Sequence, residues 1–186
     1  DLAHAHLDRA VQCYELADQK ALLSEVHNIR ARAYFQQNKL KEAIECLKEA
    51  LDVSIRHGIK PQTVLARRLL GEALVQTGVF EEALDVLEQA RTDASAMEMQ
   101  MELAFSLVAA GACHAACSRL DEAQSTFEQA LQWSEGVLPE IEWRAHTGLG
   151  DLAGSRSENE KALASYRQAV TAFSRIRQNF WQPSLA

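Results

Sequence analysis

Apolar residues return every three or four positions along nearly the whole chain, with polar residues on the opposite positions, which is the period of amphipathic helices. The pattern itself repeats. "NKLKEAIECLKEA" at 38–50 comes back as "GVFEEALDVLEQA" at 78–90 and "SRLDEAQSTFEQA" at 118–130. Ala10, Ala50, Ala90, Ala130 and Ala169 fall at spacings of 40, 40, 40 and 39, and seven residues earlier stand Ala3, Ala43, Ala83, Ala123 and Ala162. Between them lie Leu7, Leu47, Leu87, Phe127 and Tyr166, so each copy presents small, large, small on one helix face. A second series, Ala31, Gly71, Gly111 and Gly150, lies upstream in the same register. Glycine inside a helix costs about 1 kcal/mol against alanine, so these residues imply a close crossing, with each small residue packed on the alanines of the following helix.

Helices are expected near 2–17, 20–37, 40–57, 61–77, 80–94, 97–117, 120–135, 139–154 and 158–178. Gly58, Gly78 and Gly136 are placed to end helices in the left-handed conformation. Pro61 and Pro139 suit a first helical turn. "SAME" (95–98) and "SENE" (157–160) have the spacing of capping boxes.

The stretch "LGEALVQTGVFEEALDVLEQA" (70–90) resembles a tetratricopeptide repeat, with Leu-Gly, then Leu74, then Ala, Leu and Ala on the second helix. The resemblance covers one domain over 1–186. A lone second helix (2–17) precedes four full repeats at 24–63, 64–103, 104–142 and 143–182. It implies an all-α, right-handed superhelical solenoid of antiparallel helix pairs, about nine helices in all. The period of 40 departs from the usual 34, and is similar to the longer repeats of kinesin light chains, spindle-orientation adaptors and maltose-activator-type bacterial regulators. His27, Arg67, Leu107 and His146 stand where the family has an aromatic residue, and Asn159 replaces the apolar residue seen at Leu40, Phe80 and Leu120. The first helix without a partner, with Phe180 and Trp181 opening a further unit, reads as a fragment of a longer protein. Alternatively, the apolar ends pair between two copies as a homodimer.

By the same resemblance, the first helix of each hairpin lines a concave groove that holds a peptide or helix of a protein partner. The groove would present Glu25, Asn28, Arg32 and Phe35, then Leu65, Arg68, Glu72 and Val75. Phe105, Val108, Ala112 and Ala115 follow, and then Arg144, Thr147 and Asp151. Asn28, Arg32 and Arg68 are candidates for a carboxylate, unless Arg32 or Arg68 pairs with Glu72. The third repeat is apolar and suits a hydrophobic side chain. The implied function is a non-catalytic interaction module within a larger signalling or regulatory protein. The alternative is a small-molecule-sensing or oligomerisation domain of a regulator.

Composition narrows this further. The net charge of −7 argues against nucleic acid as a partner. It is uneven: seven acids stand against Arg91 between Glu81 and Glu102, while Lys161, Arg167, Arg175 and Arg177 make the last helix basic. No apolar run approaches the ~20 residues of a membrane span, and no signal-peptide pattern opens the chain, which starts at Asp1. Cys13, Cys46, Cys113 and Cys117 do not form a secreted-type disulfide framework and suit a reducing cytosol. "CHAAC" (113–117) puts two thiols on one face but lacks the four ligands of a tetrahedral zinc, with His114 turned about 100° away. His4 and His6 lie on different faces. No phosphate loop, nucleophile elbow or zinc-protease motif occurs, so neither catalytic residues, metal nor cofactor are expected.

Overall fold

The computed structural model describes residues 2–17, 19, 22–134 and 136–180. Every regular element among them is an α-helix: α1 (Leu2–Leu16), α2 (Leu23–Gln36), α3 (Leu40–Arg56), α4 (Lys60–Thr77), α5 (Phe80–Ala96), α6 (Gln100–Ala116), α7 (Leu120–Ser134), α8 (Pro139–Ser155) and α9 (Asn159–Phe180). The chain packs as two compact units, Asp1–Glu98 and Met99–Ala186. In the first, α2 lies against α1, α3 and α4, and α4 against α3 and α5. In the second, α8 lies against α6, α7 and α9, and α6 also against α7. Readings that fell on the side chains of Ala3, His4, Phe180 and Trp181 lie outside the described residues.

The turns follow one recipe. Asn38, Gly58, Gly78, Glu98, Ser118, Gly136 and Ser157 all have positive φ, so a left-handed residue recurs about every twenty positions. At five of them, Asn38, Gly58, Gly78, Ser118 and Ser157, the next N–H reaches back into the helix just ended, as in Lys39 N to Tyr34 O (2.9 Å), Val79 N to Leu74 O (2.9 Å) and Arg119 N to His114 O (2.9 Å). This is the Schellman closure, which satisfies carbonyls orphaned at a helix end. Glycine takes that conformation freely at Gly78, whereas Glu98, Ser118 and Ser157 carry a cost of roughly 1–2 kcal/mol each.

That recipe corrects both capping boxes. Ser95 lies inside α5 and Glu98 is the left-handed turn residue, so α6 starts at Gln100 rather than 97. Ser157 is likewise a turn residue, one step too early to cap α9. The N-caps of α2 to α6 and of α8 make no side-chain cap bond. Pro61 and Pro139 do sit in the first turns of α4 and α8.

The close crossing is real, but its partner is not the alanines. A Cβ on Gly71 would lie 2.4 Å from Leu87 Cγ, one on Gly111 would lie 2.8 Å from the Phe127 ring, and one on Gly150 would lie 2.5 Å from Tyr166. Each glycine therefore receives the large residue that stands between the two alanines of the next helix. Phe127 is held twice, because a Cβ on Gly148 of α8 would also lie 2.4 Å from it. Leu47, Leu87 and Phe127 are accordingly buried, and burial of each is worth about 1.5–3 kcal/mol. The flanking alanines, Ala43, Ala50, Ala83, Ala90, Ala123 and Ala130, are fully enclosed.

A polar tie completes the second unit. Glu142, nearly buried, accepts the Gly136 N–H at 2.8 Å through Oε1 and pairs with Arg175 of α9 through Oε2. It fastens the turn before α8 and the far end of α9 to one carboxylate.

Adding a methyl at these glycines gains about 1 kcal/mol of helix propensity but overpacks the crossing, which costs about 1–3 kcal/mol. Gly111→Ala is expected to destabilise the protein, because Phe127 is buried and clamped between two helices. Gly150→Ala should be close to neutral, because Tyr166 is 39% exposed and can swing outward. Urea midpoints of the two variants check the order.

Candidate functional site

Each unit has an inner face formed by the first helices of its hairpins. In the first unit these are α2 and α4. Asn28 faces α4 and donates through Nδ2 to Gln62 Oε1 at 2.9 Å. It is only 2% exposed, so it belongs to the α2–α4 contact and is not open to a carboxylate, contrary to the expectation from its position. Arg68 donates to Glu72 Oε1 at 2.7 Å, and the two side chains are 11% and 18% exposed. The alternative of an internal pair is therefore the arrangement found. Arg32 and Glu25 are exposed, and Arg32 makes no ion pair among the described residues. Phe35, Leu65 and Val75 are half-buried.

Ile29 went unremarked in the sequence and is 46% exposed beside these residues. Its register equivalents Leu69 and Ala109 are buried, at 5% and 8%. An isoleucine among packing positions gave no signal that it stood open.

In the second unit α6 and α8 form the inner face. The Arg144 guanidinium sits over the Phe105 ring, 5.5 Å from its centroid, and donates to Glu140 at 2.8 Å. Such a cation–π contact at a partly exposed site is worth about 0.5–1 kcal/mol. Val108 is buried at 7%, while Ala112 is exposed and Ala115 half-exposed. Met101, 50% exposed, extends the apolar line of α6 by one turn before Phe105. The Thr147 hydroxyl is turned back onto its own helix, to Trp143 O at 2.8 Å. Asp151 is exposed and accepts the Tyr166 hydroxyl at 2.8 Å. The structure thus brings Phe105 and Arg144 together and ties Asp151 to α9.

Other features carry little chemistry. Among the described residues no three His, Cys, Asp or Glu side chains gather as metal ligands, and Cys113 is fully buried. Burial pushes the Cys46 thiol up to about 11, which leaves it a packing group rather than a nucleophile. No described helix is long and apolar enough to cross a membrane. A cavity of about 350 Å³ in the second unit is lined by Gln124, Glu128, Leu152, Arg156, Glu158 and Lys161. Two of its cations are paired internally, Arg156 with Asp121 and Lys161 with Glu158, and Gln124 bonds both Arg156 and Glu128.

Three histidines lie between helices, and burial lowers the pKa of His27, His114 and His146 below 6.5. His27 Nδ1 is 3.0 Å from Glu49 Oε2 of α3, outside hydrogen-bond geometry, and that carboxylate only partly offsets the burial.

Residues 22–95 match the family model described as tetratricopeptide repeat. The 40-residue register that carries this match continues through α9 with the same small-large-small ladder. Residues 22–95 thus carry tetratricopeptide repeats, and the rest of the chain shares their helix-pair fold. It is 27% identical over 189 residues to Protein KINESIN LIGHT CHAIN-RELATED 1 of Arabidopsis thaliana, covering 88% of this chain and 30% of that protein. The chain therefore spans less than a third of this relative. Among solved structures, BtubC (BKLC) from P. vanneervenii is similar with a TM-score of 0.73 at 19% identity, covering 98% of this chain and 78% of that one. A Rap protein complexed with Competence and Sporulation Factor is similar with a TM-score of 0.76 at 18% identity, covering 91% of this chain and 48% of that one. At such identities these likenesses establish the shared fold. Hairpins of that fold explain why both inner faces are built from alternate helices.

The three histidines favour the neutral form when folded, so their stabilisation is complete above pH 6.5 and is lost as the pH falls below it. Unfolding midpoints should therefore drop between pH 7 and pH 5. The His27→Gln/His146→Gln double variant should show a shallower drop over the same window, measured by urea titration at each pH.

Proposed function

We propose that this chain is a non-catalytic protein–protein interaction module, part of a larger signalling or regulatory protein, whose inner helix faces hold a peptide or helix of a partner. The observation that carries the reading is the apolar line on α6 of exposed Met101 and Ala112 with half-buried Phe105 between them, bordered by Arg144. An exposed apolar strip edged by charge suits a hydrophobic anchor with a polar flank. In the first unit Arg32 and Ile29 offer the complementary pair, an exposed guanidinium with no ion pair among the described residues beside an exposed aliphatic side chain. Arg68 and Asn28 are withdrawn from that role, since each already bonds within the protein. The Rap structure, solved with Competence and Sporulation Factor, shows a related fold holding a partner and supports the reading by analogy alone.

Peptides selected on the immobilised chain from a random display library are expected to carry an apolar anchor. Phe105→Glu should lower their affinity about tenfold or more, a loss of at least about 1.4 kcal/mol. Arg32→Glu should do the same for peptides with an acidic residue. Fluorescence anisotropy measures both, and circular dichroism checks that the helices persist. Peptides indifferent to both changes would remove the inner faces from the proposal.

A further inference from the structure

The last helix leaves a large part of its apolar side chains open to solvent. On α9 the residues Leu163, Tyr166, Val170 and Phe173 are spaced three, four and three apart, so they form one stripe along the helix. All four are open, at 51%, 39%, 65% and 50%. At the register of Tyr166, the earlier residues Leu47, Leu87 and Phe127 are 0%, 1% and 3% exposed.

A further hairpin stacked in the same way does not fit this face. The register positions of Phe173 in earlier repeats are Ser54, Ala94 and Ser134, each small and 0% exposed. At Ser54 the next first helix approaches closely enough for Thr63 to bond its hydroxyl at 3.0 Å. In α9 that position holds an aromatic ring, tilted at 53° against Trp143 of α8 with centroids 5.8 Å apart. A helix crossing as α4 crosses α3 would meet the ring.

The ends of the stripe decide between other occupants. One turn before Leu163 stands Glu160, and one turn after Phe173 stands Arg177, both exposed and neither in an ion pair among the described residues. The pairs Leu163 with Phe173, Tyr166 with Val170 and Glu160 with Arg177 are all centred on or beside Gln168. A second α9 running antiparallel about that point places apolar residues against apolar residues and an acid against a base at each end. The stripe is thus complementary to itself, as a two-fold interface requires.

We infer that two copies of this chain associate through α9, antiparallel, with Leu163, Tyr166, Val170 and Phe173 at the seam and Glu160–Arg177 pairs closing both ends. Arg167 lies on the flank beside Tyr166 and gains nothing from the pairing. The inner faces of α6 and α8 take no part, so this association is independent of the peptide-binding proposal.

Sedimentation equilibrium and native mass spectrometry of the 186-residue chain should show a dimer. Val170→Glu, at a position 65% exposed in the single chain, should abolish it without loss of helical signal or of melting temperature. Glu160→Arg and Arg177→Glu should each weaken the dimer about tenfold, since each turns two attractive contacts into repulsive ones, and their combination should restore it. A monomer at every concentration, or a dimer indifferent to Val170→Glu, overturns the inference. Failure of the combined variant to recover overturns the antiparallel arrangement.

Discussion

Everything in this chain hangs on a close approach between one helix and the next, made where a missing Cβ admits a large side chain. Gly71 admits Leu87, Gly111 admits Phe127 and Gly150 admits Tyr166. Each glycine gives up about 1 kcal/mol of helix propensity, and the burial it permits returns about 1.5–3 kcal/mol for a leucine or phenylalanine. The margin per crossing is small. It becomes a fold because the crossing recurs every 40 residues and because Phe127 is gripped by the helices on both sides of it. With the second helices occupied in this way, the first helices lie side by side within each unit and leave one face unclaimed by packing.

Periodicity made the helices legible, since all nine lie within three residues of their expected bounds. It read the turn glycines correctly as well, because a left-handed closure needs only local sequence. What it misjudged depended on the third dimension. Ser95 with Glu98, and Ser157 with Glu160, have the spacing of a cap, but the left-handed turns between helices had already claimed Glu98 and Ser157. The small residues were rightly read as a crossing, yet sequence spacing alone could not tell whether alanine or leucine filled the gap.

The inner faces were legible in position but not in availability. Asn28 and Ile29 are neighbours in sequence with opposite fates, 2% and 46% exposed, and the residue type predicts the reverse. Gln62 on α4 accepts from the Nδ2 of the buried amide, which offsets part of its burial. A buried amide without that bond would be costly. Arg68 differs from Arg32 for a similar reason. Glu72, one turn along the same helix, neutralises Arg68, while the equivalent i+4 neighbour of Arg32 is Gln36.

Comparison among the repeats within the chain separates frame from content. Positions that face the crossing barely change: alanine at 43, 83 and 123, and again at 50, 90 and 130. Inner positions share no chemistry. One series runs Asn28, Arg68, Val108, Thr147, and the next runs Arg32, Glu72, Ala112, Asp151. Packing tolerates that variety because a side chain turned toward solvent or toward a polar neighbour fills no space the crossing needs. A substitution at Arg32 therefore changes charge on a surface that the frame does not use, whereas one at Gly111 meets Phe127 at once. The same frame can present different inner faces in its two units, charged in the first and apolar along α6 in the second, without altering how either unit is held together.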